Sequence, residues 1–165
     1  TLPIVVLSTR PSTAHQWKNS DLTAWNNFAN YADEIGYDVV AIPDTALALA
    51  GQIPRLGNRS KTFFQGALDF GLRAALYDMA AVTLSTHGGP AMFNPFSHNR
   101  FGMFQGEAFD LGPEEFYRLW RVKWGDQFPW ASAGQRVAYV ADTEDNIKAL
   151  FHDVMEAEIS DAQSG

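Results

Sequence analysis

The sequence Ala81-Val82-Thr83-Leu84-Ser85-Thr86-His87-Gly88-Gly89-Pro90 joins an apolar run to two glycines and a proline. The run 81–84 is short and partly β-branched, which is typical of a buried strand. Adjacent glycines let the backbone approach a ligand closely and adopt a positive φ, and proline favours the first position of a helix. A strand, a glycine turn and a helix start together direct free N–H groups at an anion. The same pattern is also consistent with a tight turn that binds nothing.

The composition indicates a folded domain without the charge of a nucleic-acid-binding protein. The 165 residues are 46% hydrophobic and carry a formal net charge of −7, so we expect an ordinary core and no nucleic-acid partner. There is no cysteine, which excludes disulfides, thiol catalysis and cysteine-ligated metals. No apolar run is long enough for a membrane span and we see no signal peptide, so we expect a cytoplasmic protein. One domain is expected over 1–158, followed by a polar tail over 159–165.

Further apolar runs predict a mainly parallel sheet. Pro3–Leu7 is continuously apolar, as in a strand buried on both faces. A second run follows a helical pattern, which makes a βαβ unit with a right-handed crossover. We therefore predict a three-layer, Rossmann-like α/β fold whose sheet order stays open, with strands near 3–8, 37–43, 81–85, 100–104 and 136–140.

Helical periodicity predicts the segments between these strands. The first helix is capped by Ser20 or Asp21 and ends at Gly36. A long helix over 63–80 is predicted from the spacing of its apolar residues, despite Gly66 and Gly71. The positions are Phe64, Leu68, Leu72, Ala75, Leu76 and Met79. Two more helices are predicted, one over 114–124 and a last one capped by Thr143.

Polar residues at the ends of two predicted strands form the candidate site. Ser8, Thr9 and Arg10 follow the first strand, and the glycine turn follows the strand near 81–85. Because ligands of open parallel sheets bind at the carboxyl ends of strands, we expect these residues to face one cleft. A guanidinium there suits a phosphate or carboxylate, although Arg10 is also consistent with an ordinary surface arginine. The predicted phosphate-binding residues are Ser8, Thr9, Arg10, Ser85, Thr86, Gly88, Gly89 and Pro90.

Other polar residues have more than one interpretation. His87 is the candidate catalytic residue, either as a donor to a phosphate oxygen or as an acid or base. Asp44 follows the second strand, where it could contact a ribose hydroxyl or cap the next turn. Arg55, Arg59 and Lys61 form either a solvated loop or part of an anion site. No histidine pair has metal-ligand spacing, so we expect no metal and no cofactor.

Three segments resemble the nucleotide-sugar-binding (C-terminal-type) half of a GT-B fold glycosyltransferase. Val5–Arg10 resembles its first strand and loop, and Trp25–Asp44 resembles its first helix and second strand. Tyr77–Pro90 resembles the segment in which a small-residue helix leads through a strand to the donor-binding turn. The resemblance implies that Arg10 and the turn at Ser85–Pro90 contact the diphosphate of a nucleotide-sugar donor. It also implies a second domain or subunit, since such enzymes have two domains around one cleft.

Two other classes stay open. His87-Gly88-Gly89-Pro90 is similar to the oxyanion loop of α/β-hydrolases, which also need Gly-x-Ser-x-Gly at the nucleophile. The nearest match, Trp130-Ala131-Ser132-Ala133-Gly134, lacks the first glycine. The third class is a noncatalytic binding module, whose aromatic residues would form a surface for another domain or subunit.

Overall fold

The computed structural model describes residues 1–10, 20–52, 55–105, 114, 117–118 and 121–157. One sheet contains the strands β1 (Ile4–Ser8), β2 (Asp38–Ile42), β3 (Lys61–Thr62), β4 (Val82–Thr86), β5 (Phe101–Phe104) and β6 (Gln135–Ala138). The helices of the described residues are α1 (Leu22–Glu34), α2 (Thr45–Leu49), α3 (Gln65–Leu68), α4 (Phe70–Met79) and α5 (Glu144–Glu156). A 3₁₀ helix spans Gly89–Phe96.

The sheet has the order β3-β2-β1-β4-β5-β6, and every neighbouring pair is parallel. The chain runs outward from β1 to β3 and then returns to add β4 on the other side of β1. The order therefore reverses between β1 and β4, which in open α/β sheets is the point where ligands bind. The predicted three-layer, parallel, Rossmann-like fold is confirmed. The short edge strand β3 was not predicted.

Helices cover both faces of the sheet. Side chains of successive β1 residues point to opposite faces, so Val5 and Leu7 pack with α1 and α5, whereas Val6 packs with α3 and α4. The larger core layer centres on Trp25 and Phe28 of α1. A further layer lies between β5, β6 and the 3₁₀ helix. Both faces of β1 and β4 are thus buried, and only the strand ends are left to build a site.

The helix predicted over 63–80 is two helices, α3 and α4. Asp69 separates them, and its side chain accepts a hydrogen bond from Leu72 N, which caps α4. The buried residues of α4 are Arg73 and Tyr77, while Leu72 is largely exposed. The predicted apolar face was therefore wrong, because a new cap at Asp69 restarts the helix and changes which side faces the sheet.

The other helix signals agree with the described residues. Asp21 caps α1 by accepting hydrogen bonds from two backbone N–H groups, and Gly36 follows the helix with a φ of +95°. Thr143 caps α5. Of the helix predicted over 114–124, residues 114 and 117–118 are helical, 121–124 are not, and 115–116 and 119–120 lie outside the described residues, as does the tail 159–165. No helix within the described ranges is long and apolar enough to cross a membrane.

Candidate functional site

A cavity of about 440 Å³ lies at the carboxyl ends of β1, β2 and β4. Ser8, Thr9 and Arg10 line it from the end of β1, and Thr86 and Gly88 line it from the end of β4. The cavity is therefore at the reversal of strand order, where the fold favours ligand binding. These five residues, of the eight that the sequence predicted to bind phosphate, therefore line the same cavity.

The side chain of Ser20 links the loop after β1 to the end of β4 through polar contacts. Its hydroxyl accepts a hydrogen bond from Arg10 N at 2.8 Å and lies 3.0 Å from Thr86 Oγ1. Ser20 N in turn donates to Arg10 O at 3.1 Å. The sequence predicted Ser20 as a possible cap of α1, but Asp21 has that role and Ser20 holds Arg10 in place.

The side chain of Arg10 lies beside the position that a side chain of residue 88 would occupy. A Cβ added to Gly88 would lie 3.5 Å from Arg10 Cδ and 3.7 Å from Arg10 Nη1. Gly88 itself has a φ of −179° and a ψ of 166°. The positive φ expected in the glycine turn is thus not present at Gly88, and a Cβ there would be in ordinary van der Waals contact with Arg10. Among the described residues no carboxylate pairs with the Arg10 guanidinium.

A second arginine, Arg73 of α4, lines the same cavity and was not singled out from the sequence. It is 2% exposed. Its Nε donates to Gly66 O at 2.7 Å, and its Nη1 donates to Ser8 Oγ and Tyr77 OH, both at 3.3 Å. All three acceptors are neutral, and no described carboxylate lies within 4.0 Å of the guanidinium. The feature of the sequence that could have indicated Arg73 is a charged residue among the small and apolar residues of a predicted helix.

Asp44 caps α2 and also lines the cavity. Its Oδ1 accepts a hydrogen bond from Ala46 N at 2.8 Å, which fixes the carboxylate at the carboxyl end of β2. The Oδ2 atom makes no hydrogen bond to a described residue. The cap predicted for Asp44 is therefore present, and its second oxygen is in a position to meet a ligand hydroxyl.

The three cations of the loop after α2 lie elsewhere. Arg59 pairs with Asp33, and Lys61 pairs with Asp38 across the edge of the sheet. Arg55 donates to a backbone carbonyl three residues away. None of them lines the cavity, so the solvated-loop interpretation holds. No group of three or more His, Asp or Glu in the described ranges is placed to hold a metal ion.

The remaining predicted site residues surround the turn without lining the cavity. Ser85 is completely buried. His87 is half-buried, and its backbone N–H donates to Phe104 O at 2.7 Å, which continues the pairing of β4 and β5. Gly89 and Pro90 begin the 3₁₀ helix. The catalytic role of His87 stays a prediction.

The structure removes the geometric basis for the hydrolase alternative. Ser132 comes just before β6, so it lies at the amino edge of the sheet. His87 and Gly88 come after β4, at the carboxyl edge. A nucleophile elbow has to present its serine at the carboxyl edge, beside the oxyanion loop. Ser132 and the His87–Pro90 loop are thus at opposite ends of parallel strands.

Comparisons with protein-family models, with curated protein sequences and with solved structures gave no match to this chain. The function therefore has to be inferred from the geometry of the cavity itself.

Proposed function

We propose that this chain is the nucleotide-sugar-binding domain of a glycosyltransferase, and that the cavity holds the diphosphate of the donor. The observation that carries the proposal is that Arg10 and Gly88 line one cavity at the reversal of strand order. A guanidinium with no carboxylate partner among the described residues is free to bind phosphate oxygens. The hydroxyls of Ser8, Thr9 and Thr86 line the same cavity and supply further donors.

This arrangement suits the leaving-group side of glycosyl transfer. As the bond between the sugar carbon and the diphosphate breaks, negative charge grows on the phosphate oxygens. Fixed donors aimed at that charge stabilise the transition state more than the ground state. The backbone from which the Arg10 side chain projects is held by two hydrogen bonds to Ser20.

The cavity lining offers no evident base for the sugar acceptor. Asp44 is the one carboxylate among its described lining residues, and that carboxylate already caps α2. The acceptor and its base would therefore come from a second domain or subunit that faces the carboxyl edge. His87, directly after β4, is the proposed acid or base on this side.

Thermal unfolding with nucleoside diphosphates and nucleotide sugars tests the proposal. Each ligand is added at millimolar concentration, with the matching nucleoside as the uncharged control. A ligand at 100 times its Kd adds about 2.7 kcal/mol to the free energy of unfolding, so at least one diphosphate should raise the midpoint clearly. If the folded protein responds to none of them, the noncatalytic binding module becomes the better account.

A further inference from the structure

The buried guanidinium of Arg73 marks the cavity as a site for a polyanion. We propose that Arg73 binds the phosphate groups of the ligand directly, opposite Arg10, and that the ligand needs more than one negative charge. This assignment rests on the proposed function, because it names the residue and the ligand charge that the same cavity requires. Both arginines line the cavity, and Arg73 is 2% exposed.

An uncompensated buried charge is costly. A guanidinium carries a permanent positive charge in proteins. Removing an ion from water costs several kcal/mol unless an opposite charge and good hydrogen bonds compensate. The described groups that accept hydrogen bonds from Arg73 are all neutral. The missing compensation is negative charge, and Arg73 lines a cavity that can hold an anion.

The neutral groups hold Arg73 in one orientation. Gly66 O belongs to α3, Ser8 Oγ to β1 and Tyr77 OH to α4, so three elements fix Nε and Nη1. Nη2 makes no hydrogen bond to a described residue. A planar guanidinium that is already oriented loses little entropy when it binds phosphate oxygens. Ser8 connects the two arginines, since it bonds Arg73 and stands two residues before Arg10.

The charge of the cavity determines the class of ligand. Its described lining has two guanidiniums and one carboxylate, that of Asp44. The carboxylate of Asp44 makes no ion pair with Arg10 or Arg73. A neutral sugar would therefore leave both guanidiniums without an anionic partner, and a monoanion would leave one of them so. A diphosphate carries enough charge and enough oxygens for both. We therefore expect inorganic pyrophosphate to bind, and glucose and acetate not to bind measurably.

The competing explanation is that Arg73 is a structural strut between α3, β1 and α4. The two roles predict opposite results for Arg73→Met, which keeps an unbranched side chain of similar length without the charge. If Arg73 binds the ligand, the variant should bind pyrophosphate more weakly, whatever the loss of the hydrogen bonds to Gly66 O, Ser8 Oγ and Tyr77 OH does to its stability. If Arg73 is a strut, the variant should unfold earlier and bind as before.

Calorimetric titration with pyrophosphate and with nucleoside diphosphates makes the test. Arg73→Met should weaken pyrophosphate binding by about 10- to 100-fold, the value of one or two lost charged hydrogen bonds. Arg73→Lys, which keeps a charge without the fork, should bind with intermediate affinity and stands in for Arg73→Met if that variant does not fold. The control is Arg136→Met, which removes one positive charge at β6, far from the cavity. It should bind as the unmodified protein does.

The outcomes separate this assignment from the proposed function. If the unmodified protein binds a nucleoside diphosphate and Arg73→Met binds it equally well, the assignment of Arg73 is wrong and the proposed function stands. If the protein binds pyrophosphate but no nucleoside diphosphate, and Arg73→Met weakens the binding of pyrophosphate, the proposed function is wrong and the assignment stands. Binding of neither overturns both. All titrations are made below the unfolding midpoint of each variant, so a loss of stability cannot imitate a loss of affinity.

Discussion

The hydroxyl oxygen of Ser20 lies 3.0 Å from Oγ1 of Thr86, which joins the start of α1 to the end of β4 across 66 residues. The same hydroxyl accepts the N–H of Arg10. Ser20 thereby joins the loop after β1 to the end of β4, the two segments on either side of the strand-order reversal. We expect both the stability of the protein and the shape of the cavity to depend on this bridge.

Ser20→Ala should therefore reduce both stability and affinity. The substitution leaves the N–H of Arg10 and the hydroxyl of Thr86 without their partner, which costs about 1–3 kcal/mol for a buried donor. Chemical denaturation measures the loss of stability, and titration with pyrophosphate measures the loss of affinity. The control is Thr23→Ala, which removes an exposed hydroxyl from the first turn of α1. If both variants change the protein equally, the bridge has no special role.

Arg10→Met should affect affinity alone. The Arg10 side chain is partly exposed and has no ion pair among the described residues, so stability should change by less than about 0.5 kcal/mol. Binding of pyrophosphate should weaken about 10- to 100-fold, since a charged hydrogen-bond donor is lost. Arg59→Met is the matched control, because Arg59 pairs with Asp33 on the surface. Equal affinity in the two variants would show that Arg10 is an ordinary surface arginine.

Two glycine variants should show opposite effects. Gly88→Val places a branched side chain against Arg10 in backbone that any residue can adopt, so we expect weaker pyrophosphate binding and a stability change within about 1 kcal/mol. Gly36→Val meets no atom within 4 Å but has a φ of +95°. That strain should cost about 1–3 kcal/mol of stability and leave affinity unchanged. Melting curves and titrations of the two variants check this, and a Gly88→Val protein that binds normally would contradict it.

Asp44→Asn should show whether Asp44 binds a ligand hydroxyl in addition to capping α2. Asparagine caps helices about as well as aspartate, so α2 and the stability of the protein should be unchanged, whereas Asp44→Ala should lose about 0.5–2 kcal/mol. If Oδ2 of Asp44 binds a ribose hydroxyl, Asp44→Asn should weaken binding of a nucleoside diphosphate relative to pyrophosphate. Comparing the two ligands on one variant makes the measurement. An equal change for both ligands would leave Asp44 as a cap alone.

The sequence was most informative where burial imposes a strong pattern. The apolar runs of β1, β2 and β4 predicted the parallel sheet, and the polar residues after β1 and β4 predicted the edge at which the cavity lies. Strand β3 was missed because Lys61 and Thr62 are an exposed two-residue edge without an apolar run. A short edge strand forms through backbone pairing with β2 and leaves no hydrophobic signal.

The cavity itself could be predicted only in part. Arg73 was overlooked because a helix face is identified by its apolar residues, and here the inward face of α4 has an arginine and a tyrosine. The role of Ser20 could not be predicted either, because its partner Thr86 is 66 residues away in the sequence. A serine just before a helix is also first interpreted as a helix cap. Both residues act through contacts between distant elements, which periodicity cannot show.

The most direct test of the central claim is a crystal structure of the protein with a bound nucleoside diphosphate. The account predicts the diphosphate at the carboxyl ends of β1 and β4, with its oxygens within hydrogen-bond distance of the guanidiniums of both Arg10 and Arg73. A nucleoside diphosphate bound at any other surface, with this cavity unoccupied, would contradict the claim.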